Sequence, residues 1–403
     1  MQTSPASSMA FYERLLKEKP QQSRSRMVVD AILTDRSGHW LRSTYRTCFL
    51  LLSSVLGTNA CQNEPLGPHG EERPRPRVDG GVDGGQDGRA DAGCDASGAE
   101  CKSTFVANEE CKHPAVQEQC VDGWCRVPHG CFVMGSPMCE YGRGADNEDE
   151  VEVHLTHDFE MQQREMSQRA WSELGLPNPS IHSGQEYLDC ADPECPVGQV
   201  SWWAALAFAN RLSAAHVPSL PECYRLTGCK GELGTPEFVC EHVESTTEST
   251  YDCRGYRLPT DAEWEYAVRA GARTSFYLGT YRAQSYNLCE YCGHEPALAS
   301  AGWYCFNSER VTHPGGQKAP NGWGLFDMLG NAREWVVDAY TPAPHELGPL
   351  TNPGSMLTPG DRRVVRGGSF VDDSPFCAVS SRSGVGAELA GAGSGFRLVR
   401  TLD

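Results

Sequence analysis

The chain has no surplus of positive charge: 35 lysines and arginines stand against 53 aspartates and glutamates, a formal charge of −18. Binding a phosphate backbone needs a basic face, so nucleic acid is excluded as a partner. There is also no apolar run of transmembrane length; the stretch from Cys48 to Leu56 is too short to span a bilayer comfortably. The 12 histidines are scattered, as at His69, His154, His157, His294 and His313, and form no cluster from which a metal centre can be read. His154 and His157 could share a metal, but Val153 and Leu155 place them in a strand pattern, and they read as structural or surface groups. Clear helical or strand periodicity is sparse for 403 residues, a length that allows two domains and a large core.

Cysteine is abundant, at 19 residues. A reducing cytosol rarely tolerates so many outside metal sites, which points to disulfides in an oxidising compartment. Cys190/Cys195 and Cys289/Cys292 are close pairs. The second is a C-x-x-C without a matching ligand pair, so it reads as a disulfide and not as zinc.

Residues 1–61 form an N-terminal extension ending in an export signal. Met1 to Arg26 are polar and basic, whereas from Met27 the chain runs through Arg42 and Arg46 into the apolar stretch and then Gly57-Thr58-Asn59-Ala60-Cys61. Charge, a short apolar run and a small-residue site are the three parts of a secretory signal. Cys61 after Ala60 resembles a bacterial lipoprotein cleavage site, although Thr58 stands where such sites usually carry Leu. The expectation is a lipid anchor at Cys61 and a place in the bacterial cell envelope, with ordinary secretory cleavage as the alternative. Residues 62–93, rich in Gly, Pro and Asp, read as a flexible tether. Residues 94–127 begin a Cys-rich segment, with seven cysteines from Cys94 to Cys139 and few large apolar residues, expected to be disulfide-stapled.

The remaining residues, 128–401, read as one α+β domain. Phe132 to Met134 is a short strand ending at Gly135, and Val151 to Thr156 alternates as a half-buried strand does. Ser167 can cap a helix from Gln168, closed at Gly175, and Ser201 can cap a largely buried helix over Ala204 to Ser213. A Cys-rich insertion spans about 223–253. Thr260 and Glu263 make a capping box for a helix through Arg269, with Asp261 complementing its start and Gly271 ending it. Trp264, Ala267 and Val268 share one face of that helix, and Arg257 is available as a buried ion-pair anchor. Arg363 to Arg366 reads as a strand turning at Gly367-Gly368.

The most distinctive stretch is Gly324 to Trp335. Its glycines flank apolar anchors, and Asp327 and Glu334 lie seven positions apart, so carboxylates and carbonyls can converge on a hard cation. The competing reading is that both acids pair with arginines or cap backbone amides.

Together with Met134-Gly135-Ser136, Val200-Ser201-Trp202, Arg257 to Ala267, Gly330-Asn331-Ala332-Arg333-Glu334-Trp335, Arg366 to Phe370 and Gly395-Phe396-Arg397, the chain resembles the formylglycine-generating enzymes, the sulfatase-modifying factor family. The resemblance implies a C-type-lectin-like fold with little regular secondary structure, and calcium held by Asp327, Gly330, Ala332 and Glu334. A second calcium site is represented only by Asn287. The family oxidises a sulfatase cysteine with copper held by two thiols, a donor set suited to soft Cu(I). The family motif places those thiols at Asp372 and Cys377, so one is replaced by a hard carboxylate and copper chemistry is expected to fail. Arg333 stands where the enzymes usually carry Trp. Relatives that use non-heme iron usually carry an additional helical domain with a histidine cluster, and nothing comparable precedes residue 128.

Three functions follow: a family member without the copper oxidase activity, an extracytoplasmic binding module for a peptide or glycan, or an oxidase of altered metal mechanism with Ser369, Asp372, Cys377 and Arg382 lining its pocket. A protein or peptide substrate is the partner the resemblance implies. Against the catalytic reading stands the possibility that Cys377 joins a structural disulfide and Asp372 caps a turn. No residue pattern specifies an oligomeric state. N-terminal sequencing of the unprocessed product is expected to begin at Met27; a product beginning at Met1 would refute that start.

Overall fold

The structure is a computed structural model. It describes residues 101–402 except 102, 144–147, 183–189, 282–291, 342–347 and 355–361, with the side chains of 181 and 182 also excluded. The N-terminal extension with Cys61, the tether, Cys94, Asn287 and Cys289 therefore lie outside the described residues.

Strands β1 (Cys120–Val121), β2 (Trp124–Val127), β3 (Gly130–Met134), β4 (Val151–Leu155) and β5 (Phe159–Gln162) precede helices α1 (Gln168–Glu173) and α2 (Trp202–Ala215). The hairpin β6 (Tyr224–Thr227) and β7 (His242–Ser245) follows, then α3 (Asp261–Arg269) and α4 (Pro296–Ala301). The chain closes with β8 (Arg333–Ala339), β9 (Leu350–Thr351), β10 (Arg362–Arg366), β11 (Ser383–Gly386), β12 (Ser394–Gly395) and β13 (Val399–Thr401). They form four small sheets, ordered β1-β2-β5-β13, β11-β10-β8-β12, β3-β4-β9 and β6-β7. This is an α+β arrangement with little regular structure, as the sequence implied.

The helices begin where the capping chemistry dictates. Ser167 accepts from Ala170 N–H, Ser201 from Ala204 N–H, and Thr260 with Glu263 completes a reciprocal capping box. Ala270 adopts the left-handed conformation that ends α3 ahead of Gly271. Trp264, Ala267 and Val268 mark one apolar face of α3, yet all nine of its residues are buried. Its charged residues survive burial because arginines meet them. Arg257, itself fully buried, donates to both Glu263 oxygens at 2.7 Å and to Thr401 Oγ1 at 2.8 Å, joining α3 to the C-terminal strand.

Strand β4 is more buried than its alternation predicts. Glu152 is only 3% exposed, because Asn108 N–H and Nδ2 and the His154 ring satisfy its carboxylate. The core falls into two clusters. One packs around Trp264, Tyr266, Trp323 and Leu325, the other around Trp171, Trp202, Phe208 and Trp335.

Seven disulfides join described cysteines: Cys101–Cys139, Cys111–Cys131, Cys120–Cys125, Cys190–Cys195, Cys223–Cys253, Cys229–Cys240 and Cys292–Cys305. Two of them brace the 223–253 insertion as expected. The pairing of Cys292 with Cys289 is corrected: Cys292 bonds to Cys305, thirteen positions on, so neighbours in sequence are not partners here. The hairpin of β1 and β2 also hydrogen-bonds to β5, with Trp124 opposite Gln162 and Val127 opposite Phe159. The Cys-rich segment is thereby continuous with the main sheet.

Replacing Arg257 with Met should leave Glu263 buried without its counter-charge and cost about 3–5 kcal/mol. A denaturant midpoint within about 0.5 kcal/mol of the parent, the range of a neutral surface change, would show the pair to be dispensable.

Candidate functional site

Strand β8 brings the two candidate regions together. Arg333 and Glu334 are adjacent on it, and its pairing with β10 sets Glu334 opposite Arg366 and Trp335 opposite Val365. The turn that follows β10 therefore lies beside the start of β8.

That turn requires its glycines. Gly367 and Gly368 have φ of +84° and +68°, and a Cβ on Gly368 would sit 2.5 Å from the Cys377 sulfur. Close approach lets the 3-10 turn Ser374–Cys377 tuck its last residue underneath. Cys377 is fully buried, and it is the free cysteine among the described residues. The structural-disulfide alternative for this residue is thus corrected, since no described cysteine bonds to it. Burial, reinforced by the negative charge of Asp372, pushes its thiol well above the ordinary range, with Arg333 partly opposing.

Asp372 is held from two sides. Its Oδ2 accepts from Ser369 N–H at 2.8 Å and Ser369 Oγ at 2.6 Å, so it does cap the turn. The same carboxylate takes a two-pronged ion pair from Arg333, with Nε on Oδ2 at 2.8 Å and Nη2 on Oδ1. The Arg333 side chain remains 35% exposed. It lines a recess with Arg366, Gly368, Phe376, Ser381 and Ser383. Phe376, Val371 and Phe306 are exposed apolar side chains of neighbouring segments.

Arg382 bonds to a different acid from the one that Ser369 and Arg333 hold. Its Nε donates to Asp261 at 2.7 Å, and its side chain is 6% exposed. It belongs to the ion-pair network of α3, where Arg366 meets Asp261 and Glu265.

The loop from Asp327 to Glu334 is strained and enclosed. Asp327 and Asn331 have φ of +54° and +56°, and both are fully buried. Gly330, at φ +77°, approaches the Trp303 carbonyl so closely that a Cβ would lie 2.1 Å from it. Asp327 Oδ2 accepts from Gly316 N–H at 2.6 Å, while its Oδ1 has no hydrogen-bond partner among the described residues. Glu334 is differently placed. Arg397 donates to both of its oxygens, and Trp264 Nε1 adds a bond to Oε2 at 2.7 Å. Sequence reasoning left out Glu165, which accepts from Ala332 N–H at 2.7 Å and Asn331 Nδ2 at 2.6 Å. Burial, with the charges of Asp327 and Glu334, pushes its carboxyl well above the usual range. No spacing rule links residue 165 to the loop, so only the fold could reveal it.

Such a frame, irregular loops fixed by buried ion pairs with a glycine turn over a buried thiol, defines the class. Residues 110–402 match the sulfatase-modifying factor enzyme 1-like domain, and the chain belongs to that family. A formylglycine-generating enzyme of Streptomyces coelicolor is 26% identical over 314 residues, 72% of this chain and 93% of that protein. A chaperone protein LppX of Paenibacillus barcinonensis is 27% identical over 250 residues, 60% of this chain and 80% of that protein. Among solved structures, Treponema denticola variable protein 1 superposes with a TM-score of 0.52 at 24% identity, covering 69% of this chain and 95% of that one.

The metals implied by this family fare differently against the residues present. For copper, one buried thiol of raised proton affinity and one carboxylate already bonded to Arg333 and Ser369 do not make a soft two-thiolate donor pair. For a hard cation, the orphaned Oδ1 of buried Asp327 is a fitting donor, with the carbonyls of Gly330 and Ala332 as the expected companions. Glu334 is committed to Arg397 and Trp264, which occupy its oxygens.

A thiol that stays protonated and buried reacts slowly with alkylating agents. Peptide mapping after brief iodoacetamide treatment at pH 8 should leave Cys377 unmodified in native protein and modify it after denaturation. Rapid native modification would show that the thiol is accessible and ionised.

Proposed function

We propose that this protein is an exported family member that does not perform copper-dependent cysteine oxidation and acts as an extracytoplasmic binding module for a peptide or glycan. The observation that carries this reading is the Arg333–Asp372 ion pair at the position where the family motif calls for a thiol. A guanidinium occupying that carboxylate withdraws it from metal binding, and the remaining sulfur is a single, protonated ligand. The exposed edge of Arg333, the hydroxyls of Ser381 and Ser383, and the apolar Phe376 offer a mixed polar and apolar surface of the kind that binds a chain segment. Similarity to a protein named as a chaperone supports binding of another polypeptide over catalysis. Export is supported by the seven disulfides. The lipid anchor at Cys61 is part of the same proposal, as is calcium bound by Asp327 in a structural role.

One observation favours a second reading. Cys377 is a free thiol beside a carboxylate, which keeps an oxidase of altered metal mechanism in view.

Purified protein incubated with copper, oxygen and a sulfatase-derived cysteine peptide should leave the peptide mass unchanged. In competition with a Cu(I) chelator the native chain should retain no copper. The double variant Asp372→Cys, Arg333→Trp, which supplies the second thiol and removes the orphaned guanidinium, should retain one equivalent. Turnover by the native chain would overturn the non-catalytic reading, and turnover with iron alone would establish the second one.

A further inference from the structure

The loop from Asp327 to Glu334 is enclosed by more negative charge than its own residues supply. Glu165 arrives from the segment between β5 and α1, is 5% exposed, and bonds to Asn331 and Ala332. It thereby fixes the backbone between Gly330 and Ala332, the two residues expected to offer carbonyls. Asp327 brings a second buried carboxylate with an unpartnered oxygen, and Glu334 a third. One fully buried guanidinium, Arg397, faces them, and its hydrogen bonds go to Glu334 and to the carbonyls of Gln162 and Phe326.

Two other cations lie near. Arg164 stacks over Phe326, and Lys318 sits over the Trp303 ring while donating to the Ala299 carbonyl. Neither donates to Asp327 Oδ1. Arg164 and Lys318 are not buried, so the buried groups are three carboxylates against one guanidinium, and an acceptor left unpaired among them costs free energy that a hard cation would relieve.

Resting on the reading that this loop holds such a cation, we propose that Glu165 is a positioning residue of the site and supplies its second uncompensated carboxylate, while Glu334 serves as the partner of Arg397 and Trp264. The ligating oxygen would then come from Asp327, and the charge that favours a divalent ion from Glu165 across the loop. A further consequence is that the site draws on residues 162 positions apart, from Glu165 to Asp327, so cation binding would tie the first half of the domain to the second.

The test is calcium titration of the full-length protein, by calorimetry and by thermal unfolding, on the parent, Glu165→Gln, Glu165→Asp and Asp327→Asn. Glu165→Gln keeps the shape and an acceptor for Ala332 N–H but removes the charge. Its calcium affinity should fall by on the order of tenfold or more, since affinity at such sites follows ligand charge. Its melting temperature should fall more in the presence of calcium than in its absence, since the lost acceptor for Asn331 Nδ2 weakens both forms and the lost cation only one. Glu165→Asp, which keeps the charge, should retain more affinity than Glu165→Gln, and Asp327→Asn should lose the calcium response. Glu165→Gln binding calcium as tightly as the parent would overturn the proposal. So would an equal loss of melting temperature with and without calcium, which would make Glu165 a structural anchor only. Absence of any calcium response in the parent would instead overturn the underlying cation reading.

Discussion

The constraint on which this structure depends is the neutralisation of α3 by arginines from elsewhere in the chain. Arg366, fully buried, reaches Asp261 with Nε and Glu265 with Nη2, and gives Nη1 to the carbonyls of Val379 and Ser381. Arg382 shares Asp261, and Arg269 shares Glu265 while bonding to the Gly135 carbonyl. Hydrophobic burial has no direction, so in a fold with little regular structure it could not specify which loop lies against which helix. Guanidinium groups with fixed donor geometry can. Burying these charges carries a desolvation cost, which is offset only where every donor finds an acceptor. At Arg366 all three guanidinium nitrogens find acceptors, and so the segment holding Cys377 is fixed relative to α3.

The same logic explains how a site can change while its frame persists. A carboxylate at residue 372 beside a buried thiol would, alone, be a buried charge with only Ser369 to satisfy it. A guanidinium at residue 333 would, alone, face the recess without a counter-ion. Together they form a pair 39 residues apart whose charges cancel. Arg333 also donates its backbone N–H to the Gly393 carbonyl, so its position is set by the sheet and not by the ion pair. The chemistry at the recess can therefore differ from a two-thiol site without disturbing β8, β10 or the glycine turn.

What could be read from the sequence was what is encoded locally. The capping box of Thr260 and Glu263, the strand at Val151 and the glycine turn each depend on residues within about five positions, and each appeared where expected. The family motifs identified the fold because they are the fixed points of the ion-pair network: Arg257, Arg366 and Arg397 are fully buried guanidinium groups within it. Contacts made by tertiary packing were not legible. Cys292 skips its sequence neighbour for Cys305, Arg382 bonds to Asp261 of α3, and Glu165 bonds to a loop 166 positions away. One such contact did leave a trace. The two departures from the family pattern, an arginine at 333 and an aspartate at 372, have opposite charge, and that complementarity is by itself a reason to pair the two positions.

Of the two acids in this loop, Glu334 is bonded to an arginine, whereas Asp327 makes no hydrogen bond to one among the described residues. Glu334 lies on a strand whose register fixes it opposite Arg366, and its oxygens face Arg397 and Trp264. Asp327 lies at a left-handed position, where among the described residues its carboxylate accepts from the Gly316 N–H and one oxygen has no hydrogen-bond partner. A strand position inherits its neighbours from the ladder, whereas a turn position is free to direct its side chain inward. The backbone conformation at each residue, more than its chemical identity, decides which carboxylate is paired with a guanidinium.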